Sequence, residues 1–70
     1  MPFEVCAYDK DNDVYVTMHT TPSESMALRI AKALKQLIEK GYLERLCNDG
    51  SREPYDWIVI YHGENVRAVI

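Results

Sequence analysis

Thr21-Pro22-Ser23-Glu24-Ser25-Met26-Ala27-Leu28-Arg29-Ile30-Ala31-Lys32-Ala33-Leu34-Lys35-Gln36-Leu37-Ile38-Glu39-Lys40-Gly41 is the stretch that decides the fold. Thr21 suits an N-cap, because its hydroxyl can accept a hydrogen bond from a free amide of the first turn. Pro22 suits the first helical position, where no N–H is needed, and Glu24 stands where a capping acid reaches back. Gly41 closes the segment as the left-handed residue after the last turn, with Tyr42 reaching back to Leu37. Between these ends Ala27, Ile30, Ala31, Leu34, Leu37 and Ile38 recur at helical spacing, and Leu28 falls outside their sector. The spacing predicts one helix over residues 22–40, about five turns, with an apolar side and a solvated side.

The flanking segments alternate. Residues 3–8 and 14–19 read as two strands of a hairpin, joined at Asp9-Lys10-Asp11-Asn12-Asp13, whose side chains favour turn backbones. Residues 56–62 form the strongest strand signal, with Trp57-Ile58-Val59-Ile60-Tyr61 entirely β-branched or aromatic. Gly63-Glu64-Asn65 turns it, and residues 66–70 return. Residues 42–47 read equally as a short strand or an irregular turn, and Asn48-Asp49-Gly50-Ser51 with Pro54 reads as loop. The expected fold class is α+β: a ββαββ chain, residues 1–70 in a single compact domain, with one helix on one face of a four-stranded, mainly antiparallel sheet. Ile30, Leu34, Leu37, Ile58 and Ile60 are its expected core.

Seventy residues bury only about 60% of their unfolded surface, and oligomerisation is one way such a chain gains stability. Its 47% hydrophobic content is enough for a core. Two cysteines, Cys6 and Cys47, make no disulfide framework, and whether they bridge does not follow from their spacing. The start, Met1-Pro2-Phe3-Glu4-Val5, has neither a basic segment nor a long apolar run, and nothing approaches the roughly 20 apolar residues of a membrane span. A cytoplasmic protein is the expectation. A net charge of −3 and a pI near 5.2 argue against a general nucleic-acid binder, whose domains have pI above about 9.

One helix covers one sheet face, and alternation then decides what the other shows. With Phe3, Val5, Ala7, Val14, Val16, Met18, Ile58, Ile60, Val66, Ala68 and Ile70 under the helix, the opposite face carries Cys6, Tyr8, Tyr15, Thr17, His19, Trp57, Val59, Tyr61 and Val69. Glu4 and Arg67 are its only charges. A wet antiparallel face should be polar, whereas this one is aromatic, and Tyr and Trp are enriched at interface cores. Tyr8, Tyr15, Trp57, Val59 and Tyr61 are therefore the candidate protein-interaction residues. The competing expectation is that the loop at residues 47–55 folds over them.

Other patterns are weaker. Asp9-x-Asp11-x-Asp13 opens like a calcium loop, but Val14 replaces the required Gly and Thr20 the terminal Glu. Cys6, His19, Cys47 and His62 have zinc-ligand chemistry without the close pairs that structural zinc sites use. No spacing couples Cys47 or Ser51 to His19 or His62 as nucleophile and base, so no catalytic, metal or cofactor residues are assigned. Arg29, Lys32, Lys35 and Lys40 give the helix an outward basic stripe, a secondary candidate. The acidic clusters, Asp9, Asp11, Asp13 and then Asp49, Glu53, Asp56, would steer the chain to a basic partner.

The reading is a small non-enzymatic protein–protein interaction module in the style of phage or mobile-element inhibitors that occlude a surface of a host complex. Its partner is another protein or, in the simplest case, a second copy of itself in a homodimer. The alternative is a small nucleic-acid-binding or regulatory protein using the basic helix face, or stacking bases on the aromatic sheet face.

Overall fold

Two alternating segments at the start of the chain pair as β1 (Phe3–Asp9) and β2 (Val14–Thr21), and a computed structural model describes these and every other residue from 1 to 70. The helix α1 (Glu24–Glu39) follows, then a short ribbon of β3 (Glu44–Leu46) and β4 (Arg52–Pro54), then β5 (Trp57–His62) and β6 (Asn65–Val69). The main sheet has the order β2-β1-β5-β6, and every pairing in it is antiparallel. The expected α+β layout is present, with α1 packed on one face. The addition is the ribbon: β3 settles the ambiguous segment, and β4 pairs with it inside what reads as loop. Pro54 is tolerated at the end of β4 because that strand has no second neighbour.

The helix begins two residues later than the sequence predicts. Ser23, extended at φ −104° and ψ 124°, is the N-cap, and its hydroxyl accepts from the Met26 amide at 3.3 Å. Proline forces the residue before it into extended backbone, so Thr21 completes β2 opposite Phe3 instead of capping. The Thr21 hydroxyl accepts from the Ser23 N–H, and Glu24 is left free to pair elsewhere. The far end is as predicted. Gly41 takes φ +80°, its N–H bonds the Ile38 carbonyl, and the Tyr42 N–H bonds the Leu37 carbonyl, the two bonds of a Schellman motif.

The core is smaller-grained than expected. Val5, Ala7, Ala27, Ala31, Ile58 and Ile60 are essentially inaccessible. Ala27 and Ala31 lie along the line of contact, where a small side chain lets the helix axis approach the sheet. Ile30, Leu34 and Ile38 pack beside them, and so does Leu28, the residue the pattern leaves out. Leu37 is corrected out of the core: it is 40% exposed. At about 100° per residue, a helix centred on Ala27, Ala31 and Ile38 leaves Leu37 about 100° from the buried direction, further than Ile30 or Leu34.

Two register shifts redraw the sheet faces. Val5 pairs with His19 and Cys6 with Thr17, so Met18 is the extra residue of β2. Ile60 pairs with Ala68 and Tyr61 with Val66, so Arg67 is the extra residue of β6. Residues beyond a bulge exchange faces. His19 therefore stands opposite Val5 rather than on the open face, Val66 joins the open face beside Tyr61, and Arg67 leaves it. The Arg67 guanidinium instead bonds the Glu24 carboxylate at the start of α1, at 2.7 and 2.9 Å.

Candidate aromatic face and the Arg45 cluster

On the face away from α1, cross-strand register sets three rows. Tyr15, Tyr8 and Trp57 form the first, Thr17, Cys6, Val59 and Val69 the second, and Thr20, Glu4, Tyr61 and Val66 the third. The first row stacks directly. Tyr8 lies 4.6 Å from Trp57 at 21° and 4.6 Å from Tyr15 at 39°, separations at which aromatic pairs attract. Tyr15 also meets Tyr61 edge-to-face at 5.5 Å. These two belong to β2 and β5, with β1 between them, so their rings close over Cys6. Cys6 and Val59 are accordingly buried although no backbone element covers them. Burial raises the Cys6 thiol pKa above its usual value, the Thr17 hydroxyl at 3.7 Å opposing only part of that effect.

Four of the five sequence candidates, Tyr8, Tyr15, Trp57 and Tyr61, thus form one connected surface, and Val59 is its floor. The loop at residues 47–55 does not fold over it: Tyr15 remains 45% exposed and Trp57 40%. Val66 and Val69 extend the apolar surface along β6. Sequence alternation could not supply Val66, because the bulge that moves it has no residue signature at Arg67. With Arg67 turned to Glu24, the face keeps one charged residue, Glu4, and that residue is acidic. Asp13 adds to the acidic rim, since its carboxylate accepts the Tyr8 phenol at 2.6 Å. That bond, with smaller contributions from burial and neighbouring charge, pushes the Tyr8 pKa up to about 12.

The other side of the molecule carries the chain's densest charge. Arg45 is only 4% exposed, and its guanidinium meets Asp9 at 3.1 Å, Asp11 at 2.9 Å, Glu53 at 3.3 Å and Asp56 at 4.0 Å. Its Nη1 also lies 3.4 Å from the Cys47 sulfur. The hydrogen bond that Arg45 donates to Asp11, with the charges of Asp11 and Asp9, raises the Arg45 pKa further, against burial. Asp9 is held below the usual carboxylate range, first by the Asn12 amide at 2.7 Å and then by backbone bonds and Arg45. Asp9, Asp11, Glu53 and Asp56 face one Arg45, leaving a strongly acidic patch that Lys10, 4.0 Å from Asp56, only partly offsets. Asp11, Cys47 and Glu53 have donor atoms within 4.8 Å of one another, the chemistry of a cation site, but Arg45 bonds all three and fills it. Sequence reasoning assigned Arg45 no role, because its partners come from three separate segments.

The remaining candidates do not converge. Asp9, Asp11 and Asp13 point to Arg45 and Tyr8 rather than to one cation. Cys6 and Cys47 are unbridged and lie on opposite sides of the sheet, and His62 stacks on Phe3 at 4.1 Å. Arg29, Lys32 and Lys35 on α1 and Lys40 at its C-cap are all exposed and none enters an ion pair, and the helix that carries them lies on the sheet face opposite the aromatic one. A shallow depression of about 260 Å³ is lined by Met1, Pro2, Glu4 and Gly63, without a nucleophile or a base partner. No helix is long and apolar enough to cross a membrane. Comparison with known proteins returns no matching family model, no matching curated protein and no matching solved structure.

Proposed function

We propose that this chain is a non-enzymatic protein-interaction module that docks a basic-rimmed protein surface on its aromatic sheet face and acts by occluding it, as small phage-type inhibitors do. The observation carrying this reading is the uncovered cluster of Tyr8, Tyr15, Trp57 and Tyr61. Rigid, amphipathic rings of this kind dominate binding energy at interface centres. The rim argues for the sign of the partner. Glu4 and Asp13 border the face and the net charge is −3, so a basic surface is attracted and a phosphate backbone is repelled. Two copies meeting face to face would oppose their own acidic rims.

Trp57 is the only tryptophan, so its fluorescence reports on this face directly. In pull-downs from native lysate, wild-type chain is expected to retain a partner in a salt-sensitive manner. Trp57→Asp and Tyr61→Asp should lose that partner, Lys32→Glu should keep it, and the purified partner should shift Trp57 emission to shorter wavelength. Equal recovery by the Trp57 and Tyr61 variants overturns the proposal. Loss only in Lys32→Glu, or retention of a random-sequence DNA duplex, overturns it in favour of the basic helix face.

A further inference from the structure

We infer that the free edge of β2 is a self-pairing edge: two copies join β2 to β2 antiparallel, merging two four-stranded sheets into one continuous sheet. This inference is independent of what the aromatic face binds.

The two edges of the sheet differ. An edge strand offers a row of unpaired N–H and C=O groups, and proteins guard such rows with short length, charge, proline or bulges. β6 is guarded. It has five residues, a register shift in its middle, and Arg67 there, tied to Glu24. β2 is not. It has eight residues, Val-Tyr-Val-Thr-Met-His-Thr-Thr, with no Asp, Glu, Lys, Arg or Pro. Val14, Tyr15, Val16 and Thr17 are exposed and run without interruption up to the shift at Met18. The β3–β4 ribbon pairs only with itself and leaves this edge free.

Charge selects the occupant. A strand that meets its own copy about a two-fold axis cannot carry charge near the axis, because that charge would face itself. A strand serving a foreign partner has no such restriction. The absence of charge from β2, in a chain that is 27% charged, matches self-pairing. The acidic turn Asp9–Asp13 immediately precedes Val14. Parallel pairing would place two such turns side by side. Antiparallel pairing about Tyr15 or Val16 separates the two Asp13 positions along the strands by about 14 or about 20 Å at ~3.4 Å per residue.

Geometry narrows the register. A two-fold that pairs adjacent antiparallel strands stands normal to the sheet, so both aromatic faces fall on the same side. Opposed residues must then share a face, which requires the axis to pass through a residue and not between two. Within the straight run, a Tyr15 centre pairs Val14 with Val16 and leaves Met18 out of the seam, while a Val16 centre pairs Tyr15 with Thr17 and meets Met18 only at Val14. Either centre sets the two copies of Tyr15 close to the joint, and the two aromatic clusters become one extended surface.

The test is self-association measured by light scattering on eluted wild-type chain across the micromolar range. A dimer is expected. Val16→Lys and Val16→Glu, at a half-exposed position, should each weaken it by about tenfold or more, since like charges meet across the seam. An equimolar mixture of the two should recover dimer, and high salt should weaken that recovery. Amide exchange on wild type gives an answer without substitution: protection of residues 14–17 should rise with concentration. A wild-type monomer at high micromolar concentration overturns the inference. So does a dimer that Trp57→Asp abolishes while both Val16 variants associate normally, a result that would place the contact on the aromatic face instead.

Discussion

The two faces of the main sheet bury a floor by different means. Under α1, Val5, Ala7, Ile58 and Ile60 are covered by a helix that approaches on Ala27 and Ala31. Where the helix stops, Tyr55 and the Arg45 ribbon continue the cover over Asp9. On the opposite face Cys6 and Val59 are equally inaccessible, yet their cover is the side chains of Tyr8, Tyr15, Trp57 and Tyr61. A covering element turns its own polar face to water. A covering layer of rings leaves the rings there. The contrast shows that an exposed aromatic surface can form because the sheet needs a lid on both sides and this short chain supplies only one helix.

Neighbouring residues on β5 test that contrast most severely. Ile58 points under the helix and Val59 under the rings. Ile58→Ala should cost about 4 kcal/mol, near the upper end for a buried aliphatic deletion that leaves a cavity. Val59→Ala removes fewer methyl groups beneath a layer that can settle, and should cost about 2 kcal/mol or less. Chemical denaturation of both variants measures the difference. Equal losses would mean that the aromatic lid is as rigid as the helix.

Removing the charge under the ribbon comes next. Arg45→Met leaves four carboxylates around an apolar side chain and should cost about 3 kcal/mol at neutral pH, at the low end for breaking a buried pair because Asp11 and Glu53 are partly solvated. The pH dependence has a definite sign. Asp9 has its folded pKa below the ordinary 3.8, so its contribution is complete above that value and is lost as pH falls through the lower, folded one. In Arg45→Met the carboxylates repel one another without compensation, and protonation relieves them. The gap between variant and wild type should therefore narrow below about pH 4. A gap constant with pH, measured by melting at several pH values, would remove Arg45 from its assigned electrostatic role.

The smallest effect concerns the rim of the open face. Tyr8 should titrate near 12 because Asp13 holds its hydroxyl proton. The sign is that of a raised acid: the contribution is complete below the ordinary value of 10 and is lost as pH rises through the folded one. Asp13→Ala should return one tyrosine to the ordinary range in a near-ultraviolet titration and leave the melting temperature almost unchanged. An unaltered titration curve would detach Asp13 from the face.

Much of this architecture was legible in the residues. The helix and its Gly41 terminus, the strands and the aromatic face all follow from local spacing, because periodicity records which side of each element meets the core. The misreadings share a cause. Thr21 lost the cap to Ser23 because Pro22 kept it extended as part of β2. Leu37 and Leu28 exchanged roles because the helix rolled to bring Ala27 and Ala31 against the sheet, a choice made by packing distance. Val66, Arg67 and His19 changed faces at two bulges, and period-two alternation cannot register an extra residue. Arg45 was invisible because its acids lie at the end of β1 and in the turn after it, in β4 and before β5, and only the folded chain brings them to one guanidinium.

The closure of Tyr15 and Tyr61 over Cys6 also has a kinetic meaning. Cys6 and Cys47 are both buried thiols, one under the rings and one beside Arg45. A thiol reagent in water reaches neither until its own cover lifts. The modification rate of Cys6 then clocks the parting of the aromatic rings, and that of Cys47 clocks the lifting of the ribbon. Two natural cysteines, read side by side, thereby measure how independently the two sides of one small sheet breathe.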